Sequence, residues 1–164
     1  MPDIELARKS VGKLLRGHAH SAYDAAMATP QMSDVVTDGV RIGASAFYLQ
    51  DESTPADRDF LFGYNIVIAN TGDQPVQLVS RHWLIIDSVG RREEVRGPGV
   101  VGQTPRLAPG EAFKYSSFAR LKTPWGTMEG EYQMRRDDGS EFDARIERFY
   151  LTTEVAVSSA SDSK

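Results

Sequence analysis

The sequence predicts an all-β chain built as a two-layer sandwich, and three observations carry that expectation. Between residues 35 and 153, apolar side chains recur at every second position in one run after another. That period of two marks strands with one buried face. The runs are separated by short stretches rich in Gly, Asn, Asp and Pro, the residues that turns require. No stretch of this region carries the apolar spacing of a long helix. About seven strands separated in this way fit a β-sandwich of the immunoglobulin or fibronectin type III kind.

Taken in chain order, residues 4 to 28 read as a partly helical extension. Ile4, Val11, Leu14 and Leu15 can share a face, with Arg8, Lys9, Lys13 and Arg16 around the rest of the turn. Gly12 and Gly17 weaken such a helix by about 1 kcal/mol each relative to alanine. It is therefore marginal unless it docks, and Thr29-Pro30 ends it. A frayed end, a partner- or anion-seeking arm and a packed accessory helix all remain open for it. The expected division is an extension over 1–33, partly helical or flexible, a sandwich domain over 34–153, and a small, polar, disordered tail over 154–164.

Val40, Ile42, Ala44, Ala46 and Tyr48 alternate as a first strand. Phe60, Phe62, Tyr64, Ile66 and Ile68 form a second, with smaller or more polar residues between them, and "NTGDQ" turns the chain. Val76, Leu78, Ser80, His82, Leu84 and Ile86 alternate next, which places His82 on the face of Leu78 as a structural histidine. A short strand spans Arg91 to Arg96, and others run through Phe113, Tyr115 and Ser117, and through Met128, Gly130, Tyr132 and Met134. "DDGS" at 137–140 is a hairpin turn of the Asp-Gly kind. Beyond it, Phe142, Ala144 and Ile146 are out of phase with Phe149 and Leu151, so a bulge is expected near Glu147 and Arg148.

The totals exclude several functions. Of 164 residues, 40% are hydrophobic and 26% charged, an ordinary globular balance for one domain. With a net charge of -4 and pI near 5.4 there is no long-range pull toward nucleic acid. The absence of cysteine removes disulfides, zinc ribbons and thiol nucleophiles. The apolar runs are strand-sized, too short for a membrane span, and the N-terminal residues lack the apolar core of a secretion signal. The cytoplasm is the expected location.

"EVRGPGVVGQTP" contains Gly97, Gly99 and Gly102 at the spacing of a dinucleotide fingerprint. That fingerprint works between a strand and a helix. Here Pro105 and Pro109 follow, no helical period appears, and no acidic residue lies about twenty positions on. A Walker loop is equally excluded, because Gln103 follows Gly102. Two readings survive: a tight loop whose glycines take positive φ or allow close backbone approach, and an anion-binding nest of backbone N–H groups. Arg91, Arg92, Arg96 and Arg106 would supply charge to the nest, with Arg96 and Arg106 as the candidate anion contacts.

The segment from "VQLVSRHWLIIDSVGRREEVRGPGVVGQTPRLAPGEAFKYSS" through "LKTPWGTMEGEYQM" and "DDGSEF", together with "FYLQDESTP" and "FLFGYNIVIANTG" upstream, resembles the ApaG family. The resemblance runs from about Val40 to Leu151. It implies a fibronectin type III-like sandwich and a partner-binding role, as in eukaryotic relatives within an F-box ubiquitin-ligase subunit and a DNA-polymerase-interacting protein. For bacterial members it implies a link to cobalt and magnesium tolerance, and a gene neighbourhood shared with a diadenosine tetraphosphate hydrolase. The chain departs from the family pattern at Pro98, which stiffens the glycine loop, at Glu147 in place of a proline, and at the large Trp125.

No catalytic set emerges. His82 is the single histidine of the sandwich region and has no nucleophile elbow to serve. Arg81 and Trp83 fall on the opposite face from it, where cross-strand pairing or anion contact are both open. Asp51, Glu52 and Asp57 make an acidic loop, for which a solvated surface and a weak Mg²⁺ or Co²⁺ contact are both open, and His18 and His20 in the extension do not make a metal site by themselves. The expectation is a non-enzymatic module without a cofactor or metal, binding a protein partner through loops and a strand edge, with a homodimer also open. The alternative is a weak binder of phosphate or a nucleotide at the glycine loop.

Overall fold

The computed structural model describes residues 12–15 and 32–154, and these residues form ten strands in two antiparallel sheets. One sheet has the order β1(Lys13–Leu15), β8(Ala112–Leu121), β4(Phe60–Asn70), β3(Val40–Tyr48), β2(Met32–Thr37). The other runs β10(Glu141–Thr152), β9(Trp125–Arg136), β5(Val76–Asp87), β6(Arg92–Pro98), with the short β7(Arg106–Leu107) also paired to β5. All seven strands read from the alternation are present. The three additional ones, β1, β2 and β7, are short.

The core fills the space between the sheets. From one side come Ile42, Ala44, Phe62, Tyr64, Ile66, Ile68, Phe113 and Tyr115; from the other, Leu78, Trp83, Met128, Tyr132, Ile146 and Phe149, all buried. Trp83 is its hub. Its ring meets Tyr64 at 5.5 Å, Tyr132 at 6.1 Å and Phe149 at 6.1 Å, all edge-on, the preferred arrangement of aromatic quadrupoles. The hydroxyls of Tyr115 and Tyr132 hydrogen-bond each other inside this core. Buried Asn70 is also satisfied: its amide donates to the carbonyls of Gln74 and Leu107 and accepts from the Gly72 N–H.

Two bulges set the phase of the second sheet. The register of β10 against β9 shifts between Ile146 and Phe149, as the odd spacing predicts, so both side chains reach the core. An unanticipated bulge in β5 lies between Leu78 and Ser80. Val79 is the extra residue there, and beyond it every side chain changes face. The placement of His82 with Leu78 is therefore corrected. Leu78 and Trp83 are buried in the core, while His82, Leu84 and Ile86 lie on the outer face and are only half-buried.

Lys13–Leu15 is also corrected, from helix to strand. It pairs with Ala112–Lys114 of β8, Leu14 opposite Phe113. A helix this weakly patterned loses to ladder bonds on a strand edge. The rest of the helical reading, over residues 1–11 and 16–31, lies outside the described residues, as does the tail from 155 onward.

Candidate functional site

The glycine loop forms where β6 leaves the sheet. Gly97 still belongs to the strand and pairs with Arg81. Gly99 and Gly102 have φ of 58° and 77°, the left-handed region that favours glycine. Val100 and Gln103 bond reciprocally, N–H to carbonyl at 2.8 Å each way, around Val101 and Gly102. Two central residues with positive φ make this a type I′ turn. Val101 takes φ of 44° there, a costly conformation for a β-branched residue. Its side chain is packed against the core, which holds it in place.

Three of the loop's donors are turned inward. The Gly99 N–H goes to the carbonyl of Val79, the bulge residue of β5, and the Val100 and Gln103 N–H groups close the turn. Pro98 has none to give. The loop also presents carbonyl oxygen, and Arg81 takes it. Arg81 Nη1 donates to the carbonyls of Pro98 at 2.8 Å and Gly99 at 3.0 Å. Its guanidinium lies so close over Gly97 that a Cβ there would stand 3.0 Å from Nη2. The cation that serves this loop is thus Arg81, and the bulge at Val79 reverses its face, with that of Trp83, from the one the regular alternation gives.

The arginines expected at the loop are held by carboxylates. Arg106 Nη2 meets Asp137 at 2.6 Å, Arg92 Nη2 meets Glu94 at 3.0 Å, and Arg96 stands 3.8 Å from the other oxygen of Glu94. The Arg92 hydrogen bond holds the Glu94 carboxyl below its ordinary range. Arg91 lies at the opposite end of β6 from the glycines, where its N–H caps Asp87 at 2.9 Å.

His82 sits on the outer face between two carboxylates, with Nδ1 2.7 Å from Glu131 and Nε2 3.5 Å from Glu94. Nε2 is buried and makes no hydrogen bond. The ring borders a shallow open depression of about 580 Å³ with Glu129, Asp143 and Arg145. Glu129 is engaged by Arg148 at 3.0 Å. Asp51, Glu52 and Asp57 lie on two 3-10 turns, Gln50–Glu52 and Pro55–Asp57. Among the described residues, no group of three or more His, Asp or Glu side chains is placed to hold a metal, and no helix is long and apolar enough to cross a membrane.

The sandwich differs at its two lateral sides. On one, β10 packs along β2 and β3, and the Arg145 N–H donates to Thr37 Oγ1 at 3.2 Å. On the other, β6 and β8 face each other across a cleft of about 290 Å³, with Ile85 and Leu121 in its wall.

The sequence model of the ApaG domain matches residues 50–136. The chain is 52% identical to the ApaG protein of Anaeromyxobacter dehalogenans strain 2CP-C over 120 residues, covering 73% of this chain and 94% of that protein. It is 53% identical to the ApaG protein of Maricaulis maris over 113 residues, covering 69% and 87% respectively. Among solved structures, the putative ApaA protein of Bordetella pertussis superposes with a TM-score of 0.68 at 43% identity, over 69% of this chain and 92% of that one.

Proposed function

Because the chain belongs to the ApaG family, we propose that it acts as a protein-interaction module that presents loops and a strand edge to a partner. The observation that supports this best is how the glycine loop uses its polar groups. A phosphate site needs N–H groups and cations aimed outward. Here Gly99, Val100 and Gln103 donate within the protein, and Arg81 is held by the loop's own carbonyls. The glycines serve shape. The fibronectin type III-like likeness belongs to the same reading, since such sandwiches carry binding surfaces on loops and edges. Cobalt and magnesium tolerance, which the family resemblance brings, fits a module that acts through its partner.

Photo-crosslinking of the full chain in native lysate tests this. The expected result is a discrete protein adduct that excess unlabelled chain competes away. Failure to form any competed adduct would remove the reading.

The anion reading keeps one supporting observation: Arg96 and Arg106 are largely exposed despite their carboxylate neighbours, with 68% and 52% of their side chains accessible. Such exposed pairs are weak. Calorimetric titration with ATP or a dinucleoside polyphosphate is expected to show no binding tighter than about 0.1 mM. A saturable micromolar isotherm that Arg96→Ala abolishes would reverse the order of the two readings.

A further inference from the structure

The open side of the sandwich carries two strand edges, and they are not equivalent. In an antiparallel pair, residues alternate between bonding their neighbour and pointing their N–H and C=O away from it. Asn70 N–H donates to Glu111 at 2.9 Å, in register with the β4–β8 ladder. The alternation then assigns the bonds to β4 to Phe113, Tyr115, Ser117 and Ala119. The backbone groups of Lys114, Ser116, Phe118 and Arg120 point to the other side. The Leu49 N–H bond to Leu61, at 2.9 Å, gives the same phase from the β3 side of β4. On that outward side β1 covers β8 only as far as Lys114. Among the described residues, nothing pairs with β8 on that outward side from Ser116 to Arg120, while β4 pairs with it on the other.

An exposed edge is usually blunted by proline or charge. β6 is blunted both ways: it ends in Pro98 and carries Arg92, Glu93, Glu94 and Arg96. From Tyr115 to Ala119, β8 has neither proline nor charge. It is also backed by an aromatic row on the outer face. Phe47, Gly63 and Phe118 stand directly opposite one another in register. The Phe47 ring lies over Gly63, where a Cβ would stand 2.2 Å from its Cζ, and it remains 43% exposed. Among the described residues, none fills the next strand position beyond Phe118.

We propose that this stretch of β8 is the docking edge, and that it receives an extended, acidic peptide segment of a partner protein as an added strand. The inference rests on the interaction-module reading and names the surface and the partner's chemistry. β1 is the precedent, since it already occupies the adjoining part of the same edge. Charge selects the occupant. From Ala112 to Lys122 the chain carries Lys114, Arg120 and Lys122 and no acidic residue; Asp59 holds Arg120 at 2.6 Å, so Lys114 and Lys122 are the cations this stretch offers. Across the cleft stand Arg91 and Arg92, the latter shared with Glu94 at 3.0 Å. Two carboxylates share that cleft, but Asp87 accepts turn N–H groups from Val89 and Arg91, which leaves Glu93 as the exposed one. A second copy fits less well: antiparallel self-pairing centred on Phe118 would set Lys114 opposite Lys122, and like charges facing across strands destabilise. The incoming segment gains backbone bonds at Ser116, Phe118 and Arg120. An apolar residue extends the aromatic row beside Phe118, and acidic flanks meet the cations at each end.

The test is selection of a phage-displayed random peptide library on the immobilised full chain, followed by fluorescence anisotropy of the selected peptides with variants. Enriched sequences should be proline-poor, alternately apolar and acidic at their ends. Phe118→Pro removes an outward N–H while sparing the ladder to β4, and should weaken binding about tenfold or more. Phe118→Ala keeps that N–H and should weaken it less. Lys122→Glu should weaken binding, and salt should weaken binding to the native chain. Circular dichroism checks each variant, and Ser116→Pro replaces Phe118→Pro if the latter fails to fold. Undiminished binding to the folded proline variant, a basic consensus, or no enriched sequence each overturns the proposal. If any of these occurs while crosslinking still yields a competed adduct, the edge is wrong and the module reading stands. Absence of both an adduct and an enriched peptide removes both.

Discussion

Gly99 and Gly102 share the left-handed backbone of the loop but not its crowding. A Cβ on Gly99 would lie 2.3 Å from the carbonyl oxygen of Gln103, whereas nothing stands within 4 Å of one on Gly102. Alanine at either position bears the left-handed strain, about 1 kcal/mol. Gly99→Ala must also displace a backbone that closes the turn, so it should cost clearly more than Gly102→Ala in urea denaturation. Equal costs would mean that strain alone decides. A second residue-scale prediction concerns Tyr115 and Tyr132. Burial pushes both hydroxyls well above the ordinary tyrosine range, and Tyr132 raises Tyr115 further. The folded state therefore holds these protons more tightly than the unfolded chain. The stability this supplies is complete below the unfolded tyrosine pKa and is lost as pH rises through the raised values. Urea midpoints of the native chain should fall steeply above about pH 10. The double variant Tyr115→Phe, Tyr132→Phe removes both hydroxyls without orphaning either, and its midpoints should fall less steeply.

At the scale of an element, β5 is the informative case. Its bulge at Val79 both reverses the strand's faces and offers the carbonyl that anchors Gly99. One irregular residue thus couples the phase of the core to the shape of the loop. Trp83→Ala should cost about 3–5 kcal/mol, as for any large buried aromatic. His82→Ala, which gives up only half-buried contacts with Glu131 and Glu94, should cost roughly 1 kcal/mol. Chemical denaturation of the two variants separates the observed phase from the regular alternation, which would put His82 inside and reverse the order.

For the molecule as a whole, the two sheets carry nearly all of the buried apolar surface, and β1 adds three residues to one edge. A fragment of residues 32–154 should give a sheet-dominated circular dichroism spectrum. Its thermal midpoint should stay within a few degrees of the full chain, the effect of roughly 1 kcal/mol in a domain of this size. A helix-rich spectrum or failure to fold would show that the omitted residues are integral to the sandwich. The same architecture explains why binding is sought on one side. Among the described residues, β10 closes against β2 and β3, whereas β6 and β8 leave the opposite side open.

Seven strands, the Asp138-Gly139 turn and the β10 bulge were legible in the sequence, because alternation and turn chemistry are properties of neighbouring residues. The bulge showed itself because Ile146 and Phe149 are both large and apolar at an odd spacing. The β5 bulge left no such mark, since both faces of that strand carry apolar residues: Leu84 and Ile86 outside, Trp83 and Ile85 inside. Asp38-Gly39 was a usable signal for the β2–β3 hairpin, its φ of 47° and 84° being those of a type I′ turn, though the polar Ser33 and Asp34 obscured β2. The glycine loop was legible as shape and rejected as a dinucleotide site, but its arginines could not be sorted. Arg81 reaches the loop from a different strand, while Arg106 is drawn away by Asp137, 31 residues distant in sequence. Sequence by itself determined the layers, through local periodicity. Only the tertiary structure decided the phase beyond Val79, the partners of Arg81 and Arg106, and which edge stays open among the described residues, because each depends on contacts between residues far apart along the chain.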